Sequence, residues 1–318
     1  MIRIKNKNIL HGFWGFICVF CFLSFLIFGD RLTSSVNSSL MLCAKRLIPS
    51  LFPLMVASRL LLSSGSEKII GKAVYLPCRY ILGLSEGGSF AFLMGLICGF
   101  PIGAVSANSL YEKGVISHDE LSLLVVSSSI PSFGFVVGVI GSGVLGSRRL
   151  GFILYACAIL AAIITGVIYR FIIYRGKVFL GGNFTISEGG GIIGKFCDAV
   201  LFSVKNMLSV CGFIVFFSLL CEVLSYVLLF FGAPKFMQIL ICGIMELTRG
   251  TLATAEIPRD LAFVLCCAFI GWSGLCAMSQ MLSACRNARV NIWRFLGFKL
   301  VFAVVCGALA FLFMIVVT

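Results

Sequence analysis

With 318 residues, 60% of them hydrophobic and 12% charged, the chain lies far from a soluble protein, where about 25% of residues are charged; the mean hydropathy of +1.11 points the same way. The net charge of +13 would suggest nucleic acid in a soluble protein. Here the basic residues cluster beside apolar segments, at Arg3, Lys5 and Lys7, at Arg148 and Arg149, and at Arg286, Arg289 and Arg294, a pattern that topology and anionic lipid explain, so no nucleic-acid partner is expected.

A span needs about 20 apolar residues, and about eight segments are long enough to cross or deeply enter a bilayer. The expected fold is therefore an all-α polytopic membrane protein in contact with lipid. Most of the 15 cysteines lie within apolar runs, where free Cys behaves as a small hydrophobe. Cys18 and Cys21 form one Cys-x-x-Cys inside the first apolar run, and His11 and His118 are far apart. No disulfide plan and no metal site is expected.

In chain order, a basic leader (1–8) precedes an aromatic-rich apolar run (9–28). This is expected to be a retained span with a cytoplasmic N-terminus, making 1–30 an N-terminal transmembrane unit. Residues 31–41 are Ser-rich, and the chain re-enters the membrane between Lys45 and Leu62. Pro49 and Pro53 there predict a kink or a hairpin that does not fully cross, and Arg59 either snorkels or faces a cavity as an anion ligand. From Ser66 to Leu84 charges alternate with apolar residues, as in an interfacial helix.

Next comes Leu93-Met-Gly-Leu-Ile-Cys-Gly-Phe-Pro-Ile-Gly-Ala104, broken by Gly99, Pro101 and Gly103. Lipid cannot satisfy backbone polar groups at that depth, so the break should face protein or a water-filled cavity. Lys113-Gly114 reads as a helix C-terminus, and Ser117 with Glu120 has capping-box spacing. The following segment (118–140) carries Ser127, Ser128, Ser129, Pro131 and Gly134, a polar and proline-broken interior that either glues helices together or coordinates a solute or Na⁺. A smooth scaffold span (150–173) follows, and a Gly-rich flexible connector (176–195) separates a first repeat, 40–175, from a second, 196–318.

The second half repeats the order. A long segment (196–231) carries Lys205, Asn206 and Glu222. A second broken segment (236–255) contains Leu240-Ile-Cys-Gly243, which repeats Leu96-Ile-Cys-Gly99 about 140 residues later, followed by Glu246, Thr248, Arg249 and Gly250. The next (260–285) holds Phe269-Ile-Gly-Trp-Ser-Gly274, in the place of Ser129-Ile-Pro-Ser-Phe-Gly134, and a last smooth span covers 293–317. Broken segments at matching places in two halves point to a transporter's centre. If every segment crossed, the basic connector would lie outside, against the positive-inside bias. One segment is therefore expected to re-enter, and the repeats to be inverted.

Ionisable groups inside apolar segments cost about 2.5–3.5 kcal/mol each, so each is a site candidate. Glu246 and Arg249 are three apart, close enough on a helix to pair. Two readings stay open: a neutralised pair holding the helix, or a site. In the second, Arg249 and the half-helix N-termini after Gly99 and Gly250 attract an anion, while Glu246 carries H⁺ or Na⁺ or receives a substrate donor. Gln280 and Asn108 are placed to donate to a polar substrate or to pack helices. Ser117-His118-Asp119 sits on one turn and cannot supply triad geometry. No enzyme activity, catalytic residue or cofactor is expected, and the coupling ion, H⁺ or Na⁺, is open.

Gly95-Leu-Ile-Cys-Gly-Phe-Pro-Ile-Gly-Ala104, Leu110-Tyr-Glu-Lys-Gly114, the Glu246, Thr248 and Gly250 element and Gly271-Trp-Ser-Gly274 resemble the sporulation integral membrane protein family (YlbJ-like) of the nucleoside-recognition or Gate domain group. The resemblance spans about 40–315. Ser128-Ser-Ile-Pro131 departs from the Asn-Ser-Gly-Pro of that family, and Arg249 is not a family feature. The resemblance implies export of dipicolinate, a small aromatic dianion, across the outer forespore membrane of a spore-forming bacterium. Homo-oligomers or other sporulation membrane proteins are the macromolecular partners it leaves open. The alternatives are a nucleoside-like transporter coupled to Na⁺ or H⁺, and a non-transporting assembly factor of the spore envelope. The expected substrate-binding set is Gly99, Pro101, Gly103, Asn108, Ser128, Ser129, Pro131, Glu246, Thr248, Arg249, Gly250, Trp272, Ser273 and Gln280.

Overall fold

The computed structural model describes Val19, Phe22, Leu23, Phe25, Leu26, residues 29–182 and residues 191–317. The expected first span, 9–28, lies almost wholly outside the described residues. No strand occurs among the described residues, and five helices are long and apolar enough to cross a membrane, or six if one bent pair is a single span. The chain is an all-α integral membrane protein. Other segments expected to enter the bilayer are half-helices, individually too short to cross.

The first long helix decides between the two readings of the Lys45–Leu62 segment. Helix α1 (Gly29–Leu42), a π-helical segment (Cys43–Leu47) and α2 (Ile48–Ser64) follow one another without a loop, so Leu32–Ser64 is one candidate span, with the Ser-rich stretch inside it and no hairpin. Within this helix the hydroxyls of Ser38 and Ser39 are satisfied internally, donating to the Ser35 carbonyl. Pro49 falls in the first turn of α2, directly after the π segment, where the i→i−4 ladder is already interrupted and the missing N–H costs little.

Helix α3 (Glu67–Leu82) meets α4 (Glu86–Cys98) at 92°, turning at Gly83 with φ +72°. Its Ile69 and Tyr80 are exposed, as an interfacial helix requires. Ser85 caps α4 by accepting from the Gly88 amide at 3.1 Å. Helix α5 (Ile102–Glu112) completes the first hairpin, and α6 (His118–Ser127) follows. The capping box forms only by half. Ser117 accepts from the Glu120 amide at 3.2 Å, but the Glu120 carboxylate reaches across to accept from the Ser85 amide at 2.7 Å, tying α6 to the start of α4. An extended stretch then leads into a second π-helical segment (Phe135–Val144) and into α7 (Arg148–Tyr174).

The scaffold span ends in a charge. Arg170 of α7 is 7% exposed and donates to the carbonyls of Tyr80, Ile81, Gly176 and Lys177, clamping the α3–α4 bend. The described part of the connector is likewise pinned: the Phe179 amide donates to Gly83 at 2.7 Å and the Gly182 amide to Val115 at 2.9 Å. Flexibility was expected there from glycine content; these backbone bonds replace it up to residue 182, and residues 183–190 lie outside the described residues.

The second half comprises α8 (Ile192–Phe230), α9 (Lys235–Met245), α10 (Leu247–Ala253), α11 (Arg259–Trp272), α12 (Gly274–Ala284) and α13 (Ile292–Val317). Two contacts join helices of the first part of the chain to helices of the second. Arg59, late in α2, stacks 4.2 Å from the ring of Phe202, early in α8, and also donates to Ser109. Tyr169, late in α7, packs 4.5 Å from Phe298, early in α13.

Candidate functional site

Four helix interruptions converge, and each is built by local chemistry. Helix α4 stops at Gly99, whose φ of +78° suits glycine; a Cβ there would lie 2.4 Å from the Ser132 amide nitrogen. The Phe100 amide, freed by the break, donates to the Ile130 carbonyl at 2.9 Å, so the first break satisfies the second. Gly95 and Gly103 let the two arms of the hairpin close: a Cβ on Gly103 would sit 2.6 Å from the Gly95 Cα, and one on Gly95 2.4 Å from the Ser128 Cβ. The 128–134 break thus rests on the first hairpin.

The third interruption is a single extended residue, Glu246, with φ −143° and ψ 119°. Its carboxylate caps α10, accepting from the Thr248 amide at 2.9 Å and the Arg249 amide at 2.7 Å. The expected side-chain pairing of Glu246 with Arg249 is therefore absent. Because the helix breaks between them, the Arg249 guanidinium leaves the other way, donating to Glu222 at 2.7 Å and to the Ser35 hydroxyl. The half-helix N-terminus lies after Glu246 and not after Gly250. Gly250 is a packing residue, where a Cβ would lie 2.1 Å from the Gly243 Cα.

The fourth interruption is at Ser273, a serine with φ +72°. The neighbouring Trp272 indole donates to the Ile244 carbonyl at 3.0 Å, and a Cβ on Gly274 would lie 2.9 Å from the Leu247 amide nitrogen, so the third and fourth breaks touch. Ser273 also bridges to the second break, its hydroxyl lying 3.1 Å from the Ser129 carbonyl.

Between the breaks lies a narrow cleft with about 510 Å³ of empty space, mouths included. Phe100, Pro131, Ser132, Glu246, Thr248 and Gln280 line it, closed by Leu47, Leu51 and Phe135 and by Val210 and Ile214 of α8. Each π-helical segment contributes one wall residue, Leu47 and Phe135, and π-helical turns recur at functional sites. Two larger hollows share residues with the cleft. One, meeting it at Val210 and Gln280, contains Pro101, Asn108, Glu112, Lys205 and Arg286. The other, meeting it at Leu47, Ser132 and Phe135, contains Lys45 and Arg46.

The expected set divides accordingly. Pro131, Glu246, Thr248 and Gln280 line the cleft, while Pro101 and Asn108 line the adjoining hollow. Asn108 donates to Glu112 at 3.0 Å, and its buried Oδ1 has no partner. Gly99, Ser128, Ser129, Trp272 and Ser273 build the breaks, while Gly103 and Gly250 let the hairpin arms pack. Arg249 lines none of these three spaces.

One residue was missed. Lys299, in the span read as smooth, is fully buried and donates to the Ser273 hydroxyl at 2.8 Å and the Ser129 carbonyl at 3.3 Å. The signal was available, as it is the one charge between Arg294 and the end of the sequence. Among the described residues no three or more His, Cys, Asp or Glu side chains come together as metal ligands.

No family model and no curated protein matches the chain. Among solved structures, the chain is similar to a doubly substituted CNTnw, a concentrative nucleoside transporter, in an outward-facing state. The TM-score is 0.52 at 12% identity, over 98% of this chain and 86% of that one. The likeness is one of fold alone.

Proposed function

We propose that the chain is a secondary transporter that moves a small polar solute through the cleft between the four breaks. The observation that carries this reading is the convergence of Phe100, Pro131, Ser132, Glu246 and Thr248, all at or beside helix interruptions, with Gln280 of the last half-helix on one space. Irregular backbone at membrane depth is tolerated where it lines a cavity, and transporter sites form this way. The halves 40–175 and 196–318 act as inverted repeats around it; α2 meets α8, and α7 meets α13, across the two halves.

The preferred solute is a small organic anion, dipicolinate most specifically, carried toward the forespore if the family resemblance holds. Supporting it are the basic residues in both adjoining hollows, Lys205 and Arg286 in one and Lys45 and Arg46 in the other, which raise local anion concentration. The N-termini of α5 and α12 at the first and fourth breaks favour negative charge. Arg249 drops out of the anion-binding role because Glu222 neutralises it. A nucleoside is the second reading, favoured by the structural likeness to CNTnw and by a lining whose one charged group is the Glu246 carboxylate.

The test is uptake of labelled dipicolinate and of labelled nucleosides by proteoliposomes. Uptake of dipicolinate above that of empty liposomes, competed by unlabelled dipicolinate and not by nucleosides, is the expected result. Nucleoside uptake alone would replace the substrate, and uptake of neither would remove the transport reading for both.

A further inference from the structure

Lys299 has no place in the solute-binding scheme above, yet its environment is specific. Its ammonium is fully buried, and among the described residues none of the ion pairs includes it. It donates to the Ser273 hydroxyl at 2.8 Å and the Ser129 carbonyl at 3.3 Å and lies over the ring of Phe302, 4.8 Å from the centroid, with the Cys306 thiol also near enough to interact. The Ser273 hydroxyl, accepting from Lys299, keeps its own proton for the carbonyl of Ser129 or Ile270.

Both oxygens belong to helix ends. Ser129 lies just past the C-terminus of α6, and Ser273 is the C-terminal cap of α11. Each helix C-terminus carries about half an elementary negative charge; at Ser273 the N-terminus of α12 offsets part of it, so the carbonyl and hydroxyl oxygens themselves are what the ammonium meets. In transporters, half-helix C-terminal ends with unwound carbonyls are where a coupling cation is held. A structural lysine at this depth is expected to find a carboxylate, because an unpaired charge in the membrane interior is costly. Lys299 instead has the kind of oxygen ligands a free monovalent cation would take, at the crossing of two breaks that line the cleft.

We infer that Lys299 is a tethered cation: its ammonium fills, from within the chain, the position between the α6 and α11 C-termini that would otherwise hold a free monovalent cation, so transport does not require Na⁺. This inference rests on the transport reading only for its consequence; the occupancy of the position is testable by itself. Lys299 is a positioning residue, holding the second and fourth breaks in register.

Thermal unfolding of the purified full chain in choline chloride, NaCl or methylammonium chloride at equal ionic strength tests the occupancy. The wild type is expected to melt at the same temperature in all three salts. Lys299→Ala, which vacates the position, is expected to melt lower in choline and to regain several degrees in NaCl or methylammonium. Lys299→Met, which keeps the bulk without the charge, is expected to melt lower in every salt. A wild type stabilised by Na⁺, or a Lys299→Ala protein indifferent to all three salts, overturns the inference. Should Lys299→Ala not fold, uptake by the wild type decides: equal rates in Na⁺ and choline support the tethered cation, and a drop of about tenfold without Na⁺, of the order of typical coupling factors, overturns it. If the wild type takes up no solute in any salt, the transport reading fails while the melting comparison still decides the role of Lys299.

Discussion

The first hairpin stops at Gly99, with φ +78°, and restarts at Ile102 after Pro101; the second stops at Met245 and restarts at Leu247 around one extended residue, Glu246. Both bring a half-helix end to the same cleft, but one does so with backbone-permissive residues and the other with a carboxylate that accepts two amides. Charge therefore enters the lining from the second half only. The glycines beneath them differ less: in each hairpin a pair, Gly95 with Gly103 and Gly243 with Gly250, lets the arms approach to backbone contact. Close packing is common to both hairpins, whereas the means of breaking the helix is specific to each.

The shared part is the easiest to break. Gly250→Leu and Gly103→Leu place a Cβ where it would lie 2.1 Å and 2.6 Å from a glycine Cα of the opposite arm. Overpacking commonly costs about 1–3 kcal/mol, and against immovable backbone more. Both variants are expected to give little folded protein, read as monodisperse yield in detergent, and equal loss from the two would confirm that the hairpins close alike.

Glu246→Ala tests the part that differs. It removes two hydrogen bonds to a charged group, each worth about 1.5–3 kcal/mol, and is expected to lower the melting temperature more than Pro101→Ala does in the first hairpin. Glu246→Gln keeps one acceptor oxygen and should fall between wild type and alanine. A Pro101→Ala protein less stable than Glu246→Ala would reverse the comparison.

A smaller effect is expected at Arg249, which braces the second hairpin against α8 and α1 from outside the cleft. Its pair with Glu222 is half-buried, so Arg249→Gln should cost about 1–2 kcal/mol, between exposed and buried ion pairs, without changing the solute concentration for half-maximal uptake. Exchanging the two charges, Glu222→Arg with Arg249→Glu, should recover part of the loss.

The smallest effect on stability falls on the lining. Thr248→Val and Gln280→Leu each remove one solute hydrogen bond, worth about 0.5–1.5 kcal/mol, raising the half-maximal uptake concentration about three- to tenfold, while each also gives up one weak internal hydrogen bond and is expected to lower stability by no more than about 1 kcal/mol.

Much of the fold was legible because its punctuation is local. Gly99, Pro101, Pro131, Gly114 and Ser117 act within a few residues of themselves, and the repeated Leu-Ile-Cys-Gly marked the two hairpins. The third break was misplaced to Gly250 because Glu is not among the common capping residues, so nothing in Met245-Glu246-Leu247 announces a helix start. Spacing of three suggested a Glu246–Arg249 pair, and only the break shows why the side chains diverge. The partners of Arg249, Glu222 and Ser35, are 27 and 214 residues away, beyond any periodicity argument. Lys299 was visible as a lone charge in an apolar run, but its oxygen ligands come from two other breaks and required the tertiary structure.

The central claim is that solute occupies the cleft where the four breaks meet, and a structure determined with saturating dipicolinate, beside one with nucleoside, tests it most directly. The account predicts solute density bounded by Phe100, Ser132, Thr248 and Gln280, with the α5 and α12 N-termini facing the solute. Density confined to the hollow around Lys205 and Arg286, with the cleft closed by Leu47, Leu51 and Phe135 in both structures, would contradict it.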